Sequence, residues 1–302
     1  MDTNVTPKNV TPKKPSKVGA FFYGLLVMLI YLVIVSVPQF FVIIPVTMEV
    51  IMESQGDMTR YMDIYMAKLA EHSTALTIAT SVGTIIAVLV TVIWYFFGVY
   101  RKNKKAGQIE KVAPKLKNVK SIMFLVLGSI AAYAVAILIY FGLASIMPNM
   151  MEVYQAAMNS TLGGVEILGL ILPIVLAPIG EETALRGLVM TRTKKSFGLA
   201  GCIILSGIFF GIYHMNPIQG LYAIPIGVFY GFVAYKYKSV IPAIICHLIN
   251  NVLGTIFAGL FGNPIVDVAI IVVFGAVTVF LGTKIDFINE KMINEKETLK
   301  NE

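Results

Sequence analysis

Long apolar runs separated by short charged loops set the pattern of this chain. Eight runs stand out, at about 19–47, 74–100, 121–147, 165–190, 199–215, 221–235, 240–260 and 265–283. Several hold about 18 or more residues with few or no charges, enough to cross ~30 Å of hydrocarbon as a helix. The pattern predicts an all-α polytopic membrane bundle of about eight transmembrane helices over residues 19–284. The fifth and sixth runs are short and flank a turn at Asn216-Pro217, so a re-entrant pair is the alternative there. Ahead of the bundle, residues 1–18 repeat Asn-Val-Thr-Pro-Lys in tandem and have too little apolar surface to offset ordering, which predicts a disordered basic tail. The mixed-charge residues 285–302 read as a second tail or a short helix.

The charged positions orient the runs. Alternating from a cytoplasmic N-terminus, the inner segments 1–18, 101–120, 191–198, 236–239 and 284–302 carry 21 of the 24 Lys and Arg residues. The outer loops hold only Arg60 and Lys68 as cations, with Glu49, Glu53, Asp57, Asp63, Glu71, Glu152 and Asp267 as anions. Excess Lys and Arg marks the cytoplasmic face, so both termini are expected there. One outer segment, 57–72, alternates charged residues with Met58, Tyr61, Met62, Tyr65, Met66 and Leu69. That spacing makes an amphipathic helix, lying either on the membrane surface or on the bundle, with Asp57 as its cap.

Composition agrees with the hydropathy pattern. The chain has 302 residues, 57% hydrophobic and 14% charged, against ~25% charged in ordinary soluble proteins. Its net charge of +7 does not point to nucleic acid, because the cations are spread through loops rather than gathered on one surface. Cys202 and Cys246 fall within spans without C-x-x-C spacing and read as packing residues. The first apolar run is longer than a signal-peptide core and lacks a clear cleavage site.

The chemistry lies in the second half. Spans one to three hold almost no ionisable residues, whereas span four contains Glu181, Glu182 and Arg186, span five ends at His214, and span seven contains His247 and Asn251. Each charge near the centre of an inserted helix costs roughly 2.5–3.5 kcal/mol, so such groups need partners or a function. At ~1.5 Å rise per residue, Glu181 lies about 15 Å from the cytoplasmic end of its span, Asn251 about 16 Å, His247 about 10 Å and His214 about 22 Å. One shared site is therefore geometrically compatible. Phe210 and His214, His247 and Asn251, and Glu182 and Arg186 are each i,i+4 pairs sharing a helix face. Glu181 points about 100° away from Glu182, so Glu182 can pair with Arg186 while Glu181 faces a cavity. Pro178 and Gly180 just before them favour a kink.

In that order, Glu181-Glu182-x-x-x-Arg186, Phe210-x-x-x-His214 and His247-x-x-x-Asn251 resemble the three motifs of the CAAX-protease and bacteriocin-processing (CPBP/Abi) family. Ala177-Pro178 and Arg186-Gly187 add to the likeness, which spans about 165–260; Leu185 departs from it, where an aromatic residue is common. The resemblance implies an eight-helix intramembrane endopeptidase acting on membrane-associated or lipid-anchored peptides. By that likeness Glu181 and His214 activate a water, and His247 and Asn251 stabilise the oxyanion. Glu182, Arg186 and Phe210 take supporting roles. The chemistry is coherent: peptide hydrolysis needs a base for water and donors aimed at the tetrahedral oxygen. No cofactor is required for this mechanism. Zinc is the open alternative, with Glu181, His214 and His247 as its ligands, although no H-E-x-x-H occurs.

Two other functions compete. A proton-coupled transporter also buries Glu and His, but transporters often repeat their broken helices in both halves, and here the polar residues cluster in 181–251. A non-catalytic immunity or scaffold protein would keep the fold and lose part of the motif set, which is complete here. Bacteriocin immunity and peptide-signal processing are the roles the resemblance brings for a bacterial inner-membrane protein, ahead of prenyl-protein processing.

Overall fold

The computed structural model describes residues 16–107, 112–162 and 170–301. The N-terminal repeat and the expected start of the fourth span, at 165–169, lie outside the described residues. Nine helices are named below: α1 (Lys17–Ser54), α2 (Met58–Glu71), α3 (Ser73–Lys105), α4 (Val119–Ile146), α5 (Pro148–Leu162), α6 (Leu172–Tyr213), α7 (Pro217–Tyr237), α8 (Ile241–Thr255) and α9 (Pro264–Asn301). The protein is an all-α membrane bundle. Among the described residues, six segments are long and apolar enough to cross a bilayer: α1, α3, α4, α6, α7 and the first part of α9, Pro264–Ile285.

The difference from eight has two physical sources. The expected fourth and fifth spans both lie in α6, a run of two helices that meet at a kink at Gly198, whose φ of 72° and ψ of −173° are non-helical. That backbone region is essentially confined to glycine. The expected seventh span is α8, whose 15 residues are short for a full crossing. At the C-terminus, α9 continues as helix to Asn301. Helix α5, in a segment read only as an outer loop, starts at Pro148 and buries Met151 and Tyr154 against Ile218 of α7.

Caps explain where several helices begin. The Asn216 side chain accepts from the N–H groups of Ile218 and Gln219 ahead of Pro217, and Asn118 accepts from Lys120. Asp57 does the same for Arg60 at the start of α2. Helix α2 folds back on the end of α1, where Lys68 reaches Glu49 at 2.6 Å and Glu53 at 3.4 Å. The Glu49 carboxylate, hydrogen-bonded to it, holds the Lys68 ammonium above the ordinary lysine range.

The solvent pattern is inverted relative to a soluble protein. Large apolar side chains such as Phe41, Ile93 and Phe280 face outward, while Glu181, Glu182, Arg186, His247 and Asn250 are buried. Lipid as the surrounding solvent accounts for this, since it accepts apolar surface and rejects unpaired charge. Half of the most apolar window of α7 is buried against 22% of that of α9, which puts α7 at the centre and α9 at the rim. The core gathers Val27, Met28 and Tyr31 of α1, Leu185 and Val189 of α6, Phe210 further along α6, and Tyr230 of α7. The polar residues of α6 sit on this core.

Candidate active site

Two stretches of α6 depart from α-helical pitch. Leu172–Leu176 and Thr183–Val189 are π-helical, flanking the short α-helical stretch Ala177–Glu182 that carries both carboxylates. Single π-turns inside α-helices frequently mark functional sites. The first has an identifiable cause. Ala177 N–H donates to Leu172 O, five residues back. Continued one residue, that register needs an N–H from Pro178, which has none. The Pro173 carbonyl instead accepts from Asn251 Nδ2 of α8 at 2.6 Å.

Glu182 is fully buried and is the hub of the charges. Its Oε1 accepts from Arg186 Nη1 at 2.9 Å and lies 3.0 Å from His247 Nδ1. A carboxylate only accepts, so the proton of that second bond sits on His247 Nδ1. Arg186 also donates through Nη2 to the Gly227 carbonyl of α7, and its guanidinium lies 5.3 Å from the Phe210 ring and 5.4 Å from the Tyr230 ring. The buried pair thus has donors, acceptors and aromatic faces around it, which offsets the cost of removing two charges from water.

His247 is held by more than Glu182. Tyr230 stacks on its ring at 4.9 Å with 24° between planes, and Phe210 meets it edge-on at 5.3 Å. With Nδ1 fixed, Nε2 points toward Glu181 Oε2 at 3.9 Å. This is the arrangement in which a carboxylate sets the tautomer and orientation of a histidine and leaves the far nitrogen for chemistry. Glu181 is 5% exposed, and its Oε2 is buried without a hydrogen-bond partner among the described residues. Its neighbours include the side chains of Tyr213 and Tyr31. His214 closes α6, 4.9 Å from the same Phe210 ring, so Phe210 touches both histidines. The next residue, Met215, has a φ of 52°, a conformation that turns the chain sharply into the cap of α7.

The structure therefore brings Glu181, Glu182, Arg186, Phe210, His214 and His247 into one aromatic-walled cluster and places Asn251 on the adjoining π-turn. Sequence reasoning did not find three participants. Tyr230 and Gly227 carry no motif signal. Tyr31 sits in a uniformly apolar run of α1, and only the fold puts it here. Glu182 was read as the partner of Arg186 alone; its bond to His247 joins residues 65 apart.

Among the described residues, no group of three or more His, Cys, Asp and Glu side chains is placed to hold a metal ion. Glu181, His214 and His247, the set considered for zinc, do not form such a group. No curated protein and no solved structure matches the chain. One family model does, described as type II CAAX prenyl endopeptidase Rce1-like, over residues 163–253, which is under a third of the chain. That segment runs through the whole of the cluster on α6 and α8 up to Asn251, and it is on these residues that the chain is CAAX-protease-like.

Proposed function

We propose that the protein is an intramembrane endopeptidase that hydrolyses peptide bonds of small membrane-associated or lipid-anchored substrates in a bacterial inner membrane. The single observation that carries this reading is the buried Glu181 carboxylate. Its Oε2 lies 3.9 Å from Nε2 of His247, a histidine whose other nitrogen is fixed by the Glu182–Arg186 pair. A carboxylate in a membrane interior is costly to place there and marks a functional site by default.

In this reading Glu181, assisted by His214, takes a proton from water, and the resulting hydroxide adds to the scissile carbonyl. The imidazolium form of His247 donates from Nε2 to the developing oxyanion. The Asn251 amide has two N–H groups; one holds Pro173 and the other remains for the same oxygen. The proton on Glu181 then passes to the leaving amine. Glu182 neutralises the imidazolium and keeps its ring in place, and Phe210 and Tyr230 exclude water around it.

Membrane proteomes of cells carrying the wild type and Glu181→Gln test the reading. Full-length substrates accumulate and their cleavage products vanish in the variant. Identical peptide patterns from the two strains, with equal protein levels, would reject it.

A further inference from the structure

Helix α1 lies outside the residues that match the family model, yet it delivers a polar group to the cluster. Its buried stripe, Ala20, Gly24, Val27, Met28 and Tyr31, follows helical spacing and packs on α6. Close approach depends on small residues: a Cβ on Gly24 would collide with the Phe209 ring of α6, and one on Gly83 of α3 would meet the α1 backbone at Val35. These contacts fix the depth and rotation of α1. As a result the Tyr31 ring, 1% exposed, ends with its hydroxyl directly over the backbone of Gly180, the residue before Glu181. A Cβ at position 180 would stand 2.5 Å from Tyr31 Oη and 3.0 Å from Val88 Cγ2.

Tyr31 is also joined to the far side of the cluster. Its ring meets Tyr213, the neighbour of His214, at 5.3 Å and 74°. The Tyr213 side chain lies beside both Tyr31 and Glu181. Tyr31 Oη and Glu181 Oε2 are both buried and lack a hydrogen bond of ordinary geometry among the described residues. A phenol buried in apolar surroundings ordinarily finds a partner. Two such atoms converging on Tyr213 mark a polar spot rather than ordinary packing.

We propose that Tyr31 is a positioning residue for the Glu181 carboxylate: its hydroxyl, acting through Tyr213, fixes the orientation and hydrogen bonding of Glu181, and position 180 is glycine because that hydroxyl occupies the space of a side chain. The role in catalysis rests on the endopeptidase reading. The placement of Tyr31 on Glu181 does not, so the primary measurement is independent of proteolysis.

The experiment uses the full chain in liposomes and the membrane-permeant carbodiimide DCCD, which labels buried carboxyl groups, with Glu181 modification read by mass spectrometry and Glu181→Gln as the blank. Tyr31→Phe removes only the hydroxyl. It should raise the Glu181 labelling rate by roughly three- to tenfold, the range of one hydrogen bond. Tyr213→Phe should do the same. The double variant should show no more than Tyr213→Phe alone, because residues acting in one chain are not additive. An unchanged rate in Tyr31→Phe, or a fully additive double variant, overturns the proposal. If Tyr31→Phe does not fold, Tyr213→Phe and Gly180→Ala decide it, since each separates the hydroxyl from Glu181; wild-type labelling in both overturns it too. In a cleavage assay, Tyr31→Phe should lower kcat with KM unchanged and displace the pH profile. Cleavage that persists in Glu181→Gln would defeat the endopeptidase reading and leave the labelling result to judge Tyr31 separately.

Discussion

At the scale of single residues, the site depends on side chains that satisfy groups the backbone leaves open. Asn251 is the clearest case. The sequence shows it four residues after His247, which suggests a donor for an oxyanion; the structure shows its amide on Pro173 O at 2.6 Å. Pro178 is legible as a helix disturbance, but the sequence does not say which distant group repairs it. Asn251→Ala removes the donor from a half-buried carbonyl, which costs about 0.5–1.5 kcal/mol. Chemical unfolding of the variant in detergent measures this directly, and an unchanged midpoint would show that the bond adds nothing. Glu182 and Arg186 illustrate the same limit. Their i,i+4 spacing announces a pair, while the bonds to His247 and Gly227 come from other helices. Removing one partner of such a buried pair strands a charge. Glu182→Ala should therefore cost about 3–5 kcal/mol and lower the folded yield, measured by size-exclusion chromatography, whereas Glu182→Gln keeps an acceptor and loses less.

At the scale of elements, hydropathy located most of the helices to within a few residues of their ends. The run 172–213 holds two helices joined at Gly198, where the fourth and fifth spans were expected to part, with a single non-helical residue in place of a loop. A side chain there is forced into a backbone region that only glycine occupies without strain, so Gly198→Ala should destabilise the bundle by about 1–3 kcal/mol in a thermal unfolding assay. The π-turns around Glu181 were legible only as Pro178 and Gly180. Helix α2 shows how a loop reading can resolve into a packed element. Its amphipathic stripe allowed either membrane surface or bundle, and Lys68 draws it onto the end of α1. The folded pKa of Lys68 is raised, so its ion pairs contribute fully below the unfolded value of ~10.4 and are lost as pH rises through the folded value. Hydrogen exchange of residues 58–71 should thus stay constant from neutral to mildly alkaline pH, after correction for its intrinsic pH dependence. Protection should fall above the unfolded lysine value. In Lys68→Met the low protection should be present at every pH.

At the scale of the whole molecule, the sequence placed most of the chemistry in the second half, and the fold adds that the first half is not mere scaffold. Helix α1 supplies Tyr31 to the cluster and α3 packs against it, while α7, which bears no motif, supplies Tyr230 and the Gly227 carbonyl. Such partners are invisible to spacing arguments because they arise between helices, where small residues set how close two backbones come. Rise per residue alone makes a shared site for Glu181, His214, His247 and Asn251 compatible with their depths. What rise per residue does not supply is direction: that His247 sits between the two carboxylates, with Nδ1 on Glu182 and Nε2 toward Glu181.

The central claim is that Glu181 is the base of a hydrolytic reaction inside the membrane. The most direct measurement is kcat/KM for a cleaved peptide, using purified wild type and Glu181→Gln in liposomes with matched unfolding midpoints. Loss of a positioned general base predicts a fall of roughly 10²–10⁴-fold in the variant. Wild-type cleavage by a folded Glu181→Gln protein would contradict the account.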